Sequence, residues 1–75
     1  MKKYTNHTGN SGIVAYESGP GFIRVKFRDG DIYRYTNKAS GKRNVEMMQQ
    51  LAEEGRGLAT YISKWVKDRY ASKGV

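Results

Sequence analysis

Apolar and basic residues alternate without a break along one stretch of this chain. Ile23, Val25 and Phe27 fall on one side, while Arg24, Lys26 and Arg28 fall on the other. A period of two marks a β-strand with one buried and one wet face, so Phe22 to Arg28 reads as a strand of a half-solvated sheet. Gly12 to Glu17, rich in β-branched and aromatic residues, predicts a strand before it, and the turn chemistry of Ser18-Gly19-Pro20-Gly21 separates the two. Asp31 to Thr36 supplies a third.

The third strand has two possible registers against the second. A two-residue Asp29-Gly30 loop sets Phe27 opposite Ile32 and Val25 opposite Arg34, forcing a guanidinium onto the core face. A three-residue loop, Arg28-Asp29-Gly30, with Gly30 in the left-handed position, sets Val25 opposite Tyr33 and Ile23 opposite Tyr35. A one-residue slip inverts every side chain, so the second register is the one expected. It buries Tyr33 and Tyr35 and leaves Arg24, Lys26 and Arg34 facing water.

Beyond Thr36 the pattern changes period. Asn37 to Lys42 reads as a loop and Asn44 as the N-cap of a helix, with Glu46 in the first turn. Val45, Met48, Leu51 and Ala52 recur at helical spacing up to Glu54, where Gly55-Arg56-Gly57 stops the helix. Leu58, Tyr61, Ile62, Trp65 and Val66 continue at offsets of three and four, predicting a second amphipathic helix to about Tyr70. The expected fold is α+β: a three-stranded antiparallel meander followed by two helices on one face, in the order β-β-β-α-α. Its core is Ile23, Val25, Phe27, Tyr33 and Tyr35 under Met48, Leu51, Leu58, Tyr61, Ile62 and Trp65. Residues 1–11 are expected to be a flexible polar tail, 12–70 a single domain, and 71–75 a frayed end.

Composition narrows the function classes. With no cysteine there is neither a disulfide nor a thiolate metal site, and His7, the sole histidine, offers no metal cluster. The longest apolar run, Ile13 to Tyr16, is far too short to span a bilayer, and a cytoplasmic location with no membrane partner is expected. Fourteen Lys and Arg against seven Asp and Glu give +7, a balance that favours phosphate-rich or acidic partners and that a small domain also carries for solubility alone.

The order strand, strand, aspartate-glycine turn, Tyr-x-Tyr resembles the KTSC domain family, named for its occurrence at the C-terminus of some lysyl-tRNA synthetases and found as small stand-alone bacterial and phage-type proteins. The pieces that carry the resemblance are Ile13 to Glu17, Val25-Lys26-Phe27 before Asp29-Gly30, Tyr33-Arg34-Tyr35, and Gly55-Arg56 followed by Leu58 and Ile62. It covers roughly Gly12 to Ile62. Ser40-Gly41-Lys42-Arg43 departs from the proline-acidic opening of the family's first helix. The resemblance implies a fold more than a chemistry, and the synthetase link implies RNA by association alone.

Three constellations are candidates for function. Arg24, Lys26 and Arg34, with Arg28 at their turn, are spaced to track a phosphate backbone, although with both tyrosines in the core that face offers charge without stacking platforms. Residues 45–67 are similar to a helix-turn-helix DNA reader, with Thr60, Ser63, Lys64 and Lys67 exposed; Gly55-Arg56-Gly57 departs from its usual turn, and the Leu58 to Val66 stripe is already needed by the core. Gly55-Arg56-Gly57 is either an anion cradle or, the better reading, a capping turn. The carboxylates are scattered and no nucleophile has a base beside it, so no enzyme and no cofactor are expected. The reading is a non-catalytic nucleic-acid accessory module for RNA or a DNA phosphate backbone, using Arg24, Lys26, Arg34, Arg56, Lys64 and Lys67. Its competitor is a protein-interaction module for an acidic partner, docking through the edge strand or the second helix.

Overall fold

The computed structural model describes residues 1–6 and 12–74. Its sheet has five strands in sequence order, all antiparallel: β1 (Lys2–Lys3), β2 (Ile13–Gly19), β3 (Phe22–Phe27), β4 (Ile32–Thr36) and β5 (Ser72–Gly74). Helices α1 (Asn37–Ser40), α2 (Lys42–Glu54) and α3 (Leu58–Tyr61) lie between β4 and β5, and α3 continues into a π-helical turn over Ile62–Val66. The α+β class and the antiparallel meander are as expected. The count of three strands and two helices is not.

The hairpin register follows the three-residue loop. Val25 pairs with Tyr33 and Ile23 with Tyr35. The Gly30 N–H donates to the Phe27 carbonyl at 2.9 Å, and the Phe27 N–H donates to the Asp31 carbonyl at 2.9 Å. Gly30 sits at φ 99°, where a Cβ is strained, and this is why the bulge forms at that residue.

Both ends of the chain correct the sequence reading. Lys2–Lys3 pair with Tyr16 and Ala15, and Tyr4 is 2% exposed, its hydroxyl accepting from the Leu58 N–H at 3.4 Å. Residues 2–4 are therefore part of the fold rather than of a tail, while residues 7–11, with His7, lie outside the described residues. At the other end, Ser72–Gly74 pair with β4 instead of fraying. Neither segment has a periodic signal of its own, because each borrows its pairing from a neighbouring strand.

The helical layer departs in four places. Asn37–Ser40 is a short helix rather than a loop, capped by the Thr36 hydroxyl, which accepts from the Ala39 N–H at 3.2 Å. Asn44 is not an N-cap, since α2 begins after Gly41; its amide donates to the Ser40 carbonyl at 2.8 Å and accepts from the Tyr61 hydroxyl at 2.6 Å. Gly55, at φ 76°, closes α2 as expected. The last helix ends at Val66 rather than near Tyr70, because the Lys67 N–H reaches back five residues to the Ile62 carbonyl and Lys67 takes φ 38°, ψ −105°. That extra residue in the turn rotates Trp65 off the apolar stripe, leaving it 63% exposed instead of in the core.

The core lies between one sheet face and the helices. Ile23, Val25, Tyr35, Met48 and Leu58 are at most 1% exposed, and Ile13, Tyr16, Val45, Ala52, Ile62 and Val66 join them. Phe27, Tyr33, Leu51 and Tyr61 pack against this cluster while half-buried. Tyr70 closes the edge, its ring set at 84° to Tyr33 and 88° to Tyr35. Gln49 ties α2 to the β2–β3 turn by donating to the Gly19 and Phe22 carbonyls at 2.9 and 2.8 Å.

Candidate nucleic-acid interface

Because α2 and the segments after it pack onto the Ile23–Val25–Tyr35 side, the opposite face of the sheet is left without helices. Strand alternation and pairing order its side chains into rows. Lys3, Ala15, Lys26 and Ile32 form one row, Glu17, Arg24, Arg34 and Ser72 the next, and Gly19, Phe22 and Thr36 the third. The three basic residues expected on this face are there, and β1 adds Lys3.

Two like charges, Arg24 and Arg34, sit directly opposite each other in the register, an arrangement that costs stability unless each has another partner. Arg24 has Glu17, with Nη1 to Oε1 at 2.7 Å, both side chains well exposed. Such a pair contributes at most about 1 kcal/mol, so it orients Arg24 without removing it from use. Arg34 has Phe22: its guanidinium carbon lies 5.3 Å from the ring centroid.

Phe22 is the residue that the sequence reading missed, and it corrects the expectation of a face without aromatic surface. It precedes Ile23, so the alternation that assigned Arg24 and Lys26 outward assigns Phe22 outward as well. Gly19 makes room for it: a Cβ at that position would stand 2.5 Å from the Phe22 ring. The ring lies across the glycine of the neighbouring strand and props Arg34 from below. A shallow depression of about 190 Å³, lined by Arg24, Ile32, Arg34, Ser72, Lys73 and Gly74, adjoins the pair.

Arg56, Lys64 and Lys67 are elsewhere. All three are exposed on the helical layer, which covers the other side of the sheet, so the structure does not gather the six expected residues into one surface. Arg56 lies between Gly55 (φ 76°), the C-cap of α2, and Gly57 (φ 80°), the N-cap of α3. The Leu58 N–H already donates to Tyr4, in keeping with a capping turn rather than an anion cradle. Thr60, Ser63, Lys64 and Lys67 are exposed, but the segment that carries them has a four-residue α-helix and a π-turn in place of a continuous recognition helix.

Comparison with family models, curated proteins and solved structures finds no match for this chain. The site therefore stands on its own geometry.

Three groups near the sheet have displaced proton affinities. Burial raises the Tyr35 hydroxyl, and the neighbouring Tyr33 and Tyr70 hydroxyls raise it further. Burial likewise raises Tyr4, against the opposing bond from Leu58. Lys73 on β5 is raised by Tyr33, whose ring centroid is 5.3 Å from the ammonium, and by Asp31 at 3.5 Å. Each of these shifts favours the protonated form. No group of three or more His, Cys, Asp or Glu able to hold a metal exists among the described residues, and none of their helices is long and apolar enough to cross a membrane.

Proposed function

We propose that this protein is a small nucleic-acid-binding module that takes single-stranded RNA, or a comparable phosphate backbone, on the helix-free face of its sheet. The observation that carries the reading is the row arrangement: Lys3 and Lys26 beside Arg24 and Arg34, with Phe22 under the Arg34 guanidinium. Cations in adjacent rows neutralise successive phosphates, while a guanidinium and an aromatic ring side by side offer surfaces on which an unpaired base stacks. The net charge of +7 adds long-range attraction, and the resemblance to a synthetase-associated domain agrees with RNA.

Titration of the labelled protein with a short single-stranded RNA and with duplex DNA, at two salt concentrations, tests the reading. Amide and guanidinium signals of Phe22, Arg24, Lys26 and Arg34 are expected to move with RNA. Affinity is expected to fall with salt at a log-log slope of about 0.7 for each phosphate neutralised, near 2 to 3 for this face. If those signals stay fixed at low salt, the reading is wrong.

A further inference from the structure

Where the hairpin turn after β3 meets the end of the π-turn, the core opens into a cavity of about 270 Å³ lined by Phe27, Asp29, Tyr33, Tyr35, Ile62 and Lys67. We propose that this cavity is a binding site for a small aromatic zwitterion, a one-ring amino acid or a close analogue, with its ring against Phe27 and Tyr33, its carboxylate at Lys67 and its ammonium at Asp29.

Three independent observations lead there. The first is shape and lining: Phe27 and Tyr33 meet at 81° with centroids 5.3 Å apart, and Tyr33 and Tyr35 run nearly parallel, 14° and 6.4 Å apart. Phe27 and Tyr33, both half-buried, present ring surface to whatever enters, and Tyr35, 1% exposed, backs them; such a lining selects a planar guest. The volume is just below the usual range for ligand cavities, roughly 300–1,000 Å³, and so suits a single ring and excludes a nucleotide.

The second is charge. Four of the six lining residues are apolar or aromatic, and the other two are one cation and one carboxylate. A few polar groups of defined sign on an apolar wall fix a ligand's orientation, and this pair matches a molecule carrying both charges. Asp29 is fixed at the turn, where Oδ1 accepts from the Asp31 N–H at 3.0 Å.

The third is backbone. Lys67 is one of two non-glycine residues at positive φ among those described, and it terminates a π-helical turn through a hydrogen bond from its N–H to the Ile62 carbonyl at 2.6 Å. π-Turns and strained single residues collect where a side chain must be aimed, and here both aim at the same cavity. A regular α-helical continuation would carry residue 67 onward around the helix and away from Ile62.

The site is separate from the basic sheet face, so its test does not depend on RNA binding. L-Phenylalanine, benzoate and phenethylamine are titrated in turn into the ¹⁵N-labelled full chain. L-Phenylalanine is expected to shift the Phe27, Tyr33 and Lys67 amides saturably, with a Kd of roughly 1–5 mM for its dozen heavy atoms. Lys67→Met is expected to weaken L-phenylalanine and benzoate by about two- to fivefold and to leave phenethylamine unchanged; Asp29→Asn is expected to do the reverse. Thermal melts of both variants report whether the fold is intact, and the opposite selectivity of the two is a pattern that general destabilisation does not produce. The proposal is overturned if L-phenylalanine gives no saturable shift at these amides by about 50 mM, some tenfold above that Kd. It is equally overturned if the three probes bind alike and neither variant discriminates among them.

Discussion

Replacing Tyr4 by Ala removes one of the larger side chains of the core from a part of the chain whose sequence carries no sign of structure. Tyr4 is 2% exposed and its hydroxyl meets the N-terminus of α3. Burying a tyrosine withdraws about 150–250 Å² from water, worth about 4–6 kcal/mol at 25 cal/mol per Å² as an upper bound. Aromatic-to-alanine changes in cores cost about 3–5 kcal/mol. The whole domain, at about 0.05–0.15 kcal/mol per residue, has roughly 4–11 kcal/mol to lose. Tyr4→Ala is therefore expected to cost about 3 kcal/mol, moving the urea midpoint down by roughly 2–3 M for a chain of this size. Tyr4→Phe keeps the ring and removes only the acceptor for Leu58, at an expected cost of about 0.5–1 kcal/mol. Urea unfolding followed by circular dichroism measures both. A loss below about 1 kcal/mol for Tyr4→Ala would refute the reasoning, since the tyrosine would then be a passenger on the surface of β2.

Four further outcomes follow from the geometry. Lys67→Gly relieves a strained φ of 38°, and after the entropy of a more flexible unfolded chain is subtracted it is expected to raise stability by about 1 kcal/mol, read from the same unfolding curves. Glu17→Gln releases Arg24 from its ion pair and removes a negative charge from the basic face, so RNA affinity at low salt is expected to rise about two- to fivefold; a fall would contradict the assigned face. Gly19→Ala places a methyl group into the Phe22 ring, which swings outward at a stability cost below about 1 kcal/mol, and the Arg34 guanidinium signals are expected to lose their ring-current shift. Raising pH tests the displaced tyrosines. Tyr4 and Tyr35 hold their protons more tightly folded than unfolded, so their contribution is complete below about pH 10 and declines above it, as the unfolded chain ionises first. Lys73 acts in the same direction, and thermal melts are expected to show a falling Tm from pH 10 upward while remaining flat between pH 7 and 9.

What could be read from the sequence was what one segment specifies by itself. The β3–β4 register was legible because only one pairing keeps Arg34 off the core, and the end of α2 was legible because Gly55 is a left-handed cap. The sheet edges were not, since a two- or three-residue strand takes its identity from the partner it bonds. The helix end at Val66 was hidden for a different reason. Leu58, Ile62 and Val66 keep a spacing of four through a π-turn that alters which face residue 65 occupies, so the apolar pattern looks the same with Trp65 in or out. Within the candidate interface, alternation correctly turned Arg24, Lys26 and Arg34 outward. Phe22 was overlooked because an aromatic residue at a strand start reads as core by type, although its parity with Arg24 assigns it to the basic face. Arg56 comes from the glycine turn and Lys64 and Lys67 from the exposed side of the second helix, and neither signal carries information about which side of the sheet the helical layer covers.

β5 closes a loop. The chain leaves the sheet at Thr36, runs through the entire helical layer, and returns at Ser72 to the strand that it left. Three residue pairs and the Ala71 N–H on the Arg34 carbonyl are thus the latch of a clamshell whose hinge is the short turn into α1. Closing a loop of that length costs about 3 kcal/mol in chain entropy, which the latch must overcome with few bonds. Its release is an opening that reaches the interior. It lets Tyr70 lift from Tyr33 and Tyr35 and frees the Arg69 carbonyl from the Ser40 hydroxyl, uncovering two of the rings that line the aromatic cavity. Amide exchange at residues 72–74 is therefore expected to report the opening of that end of the core to solvent.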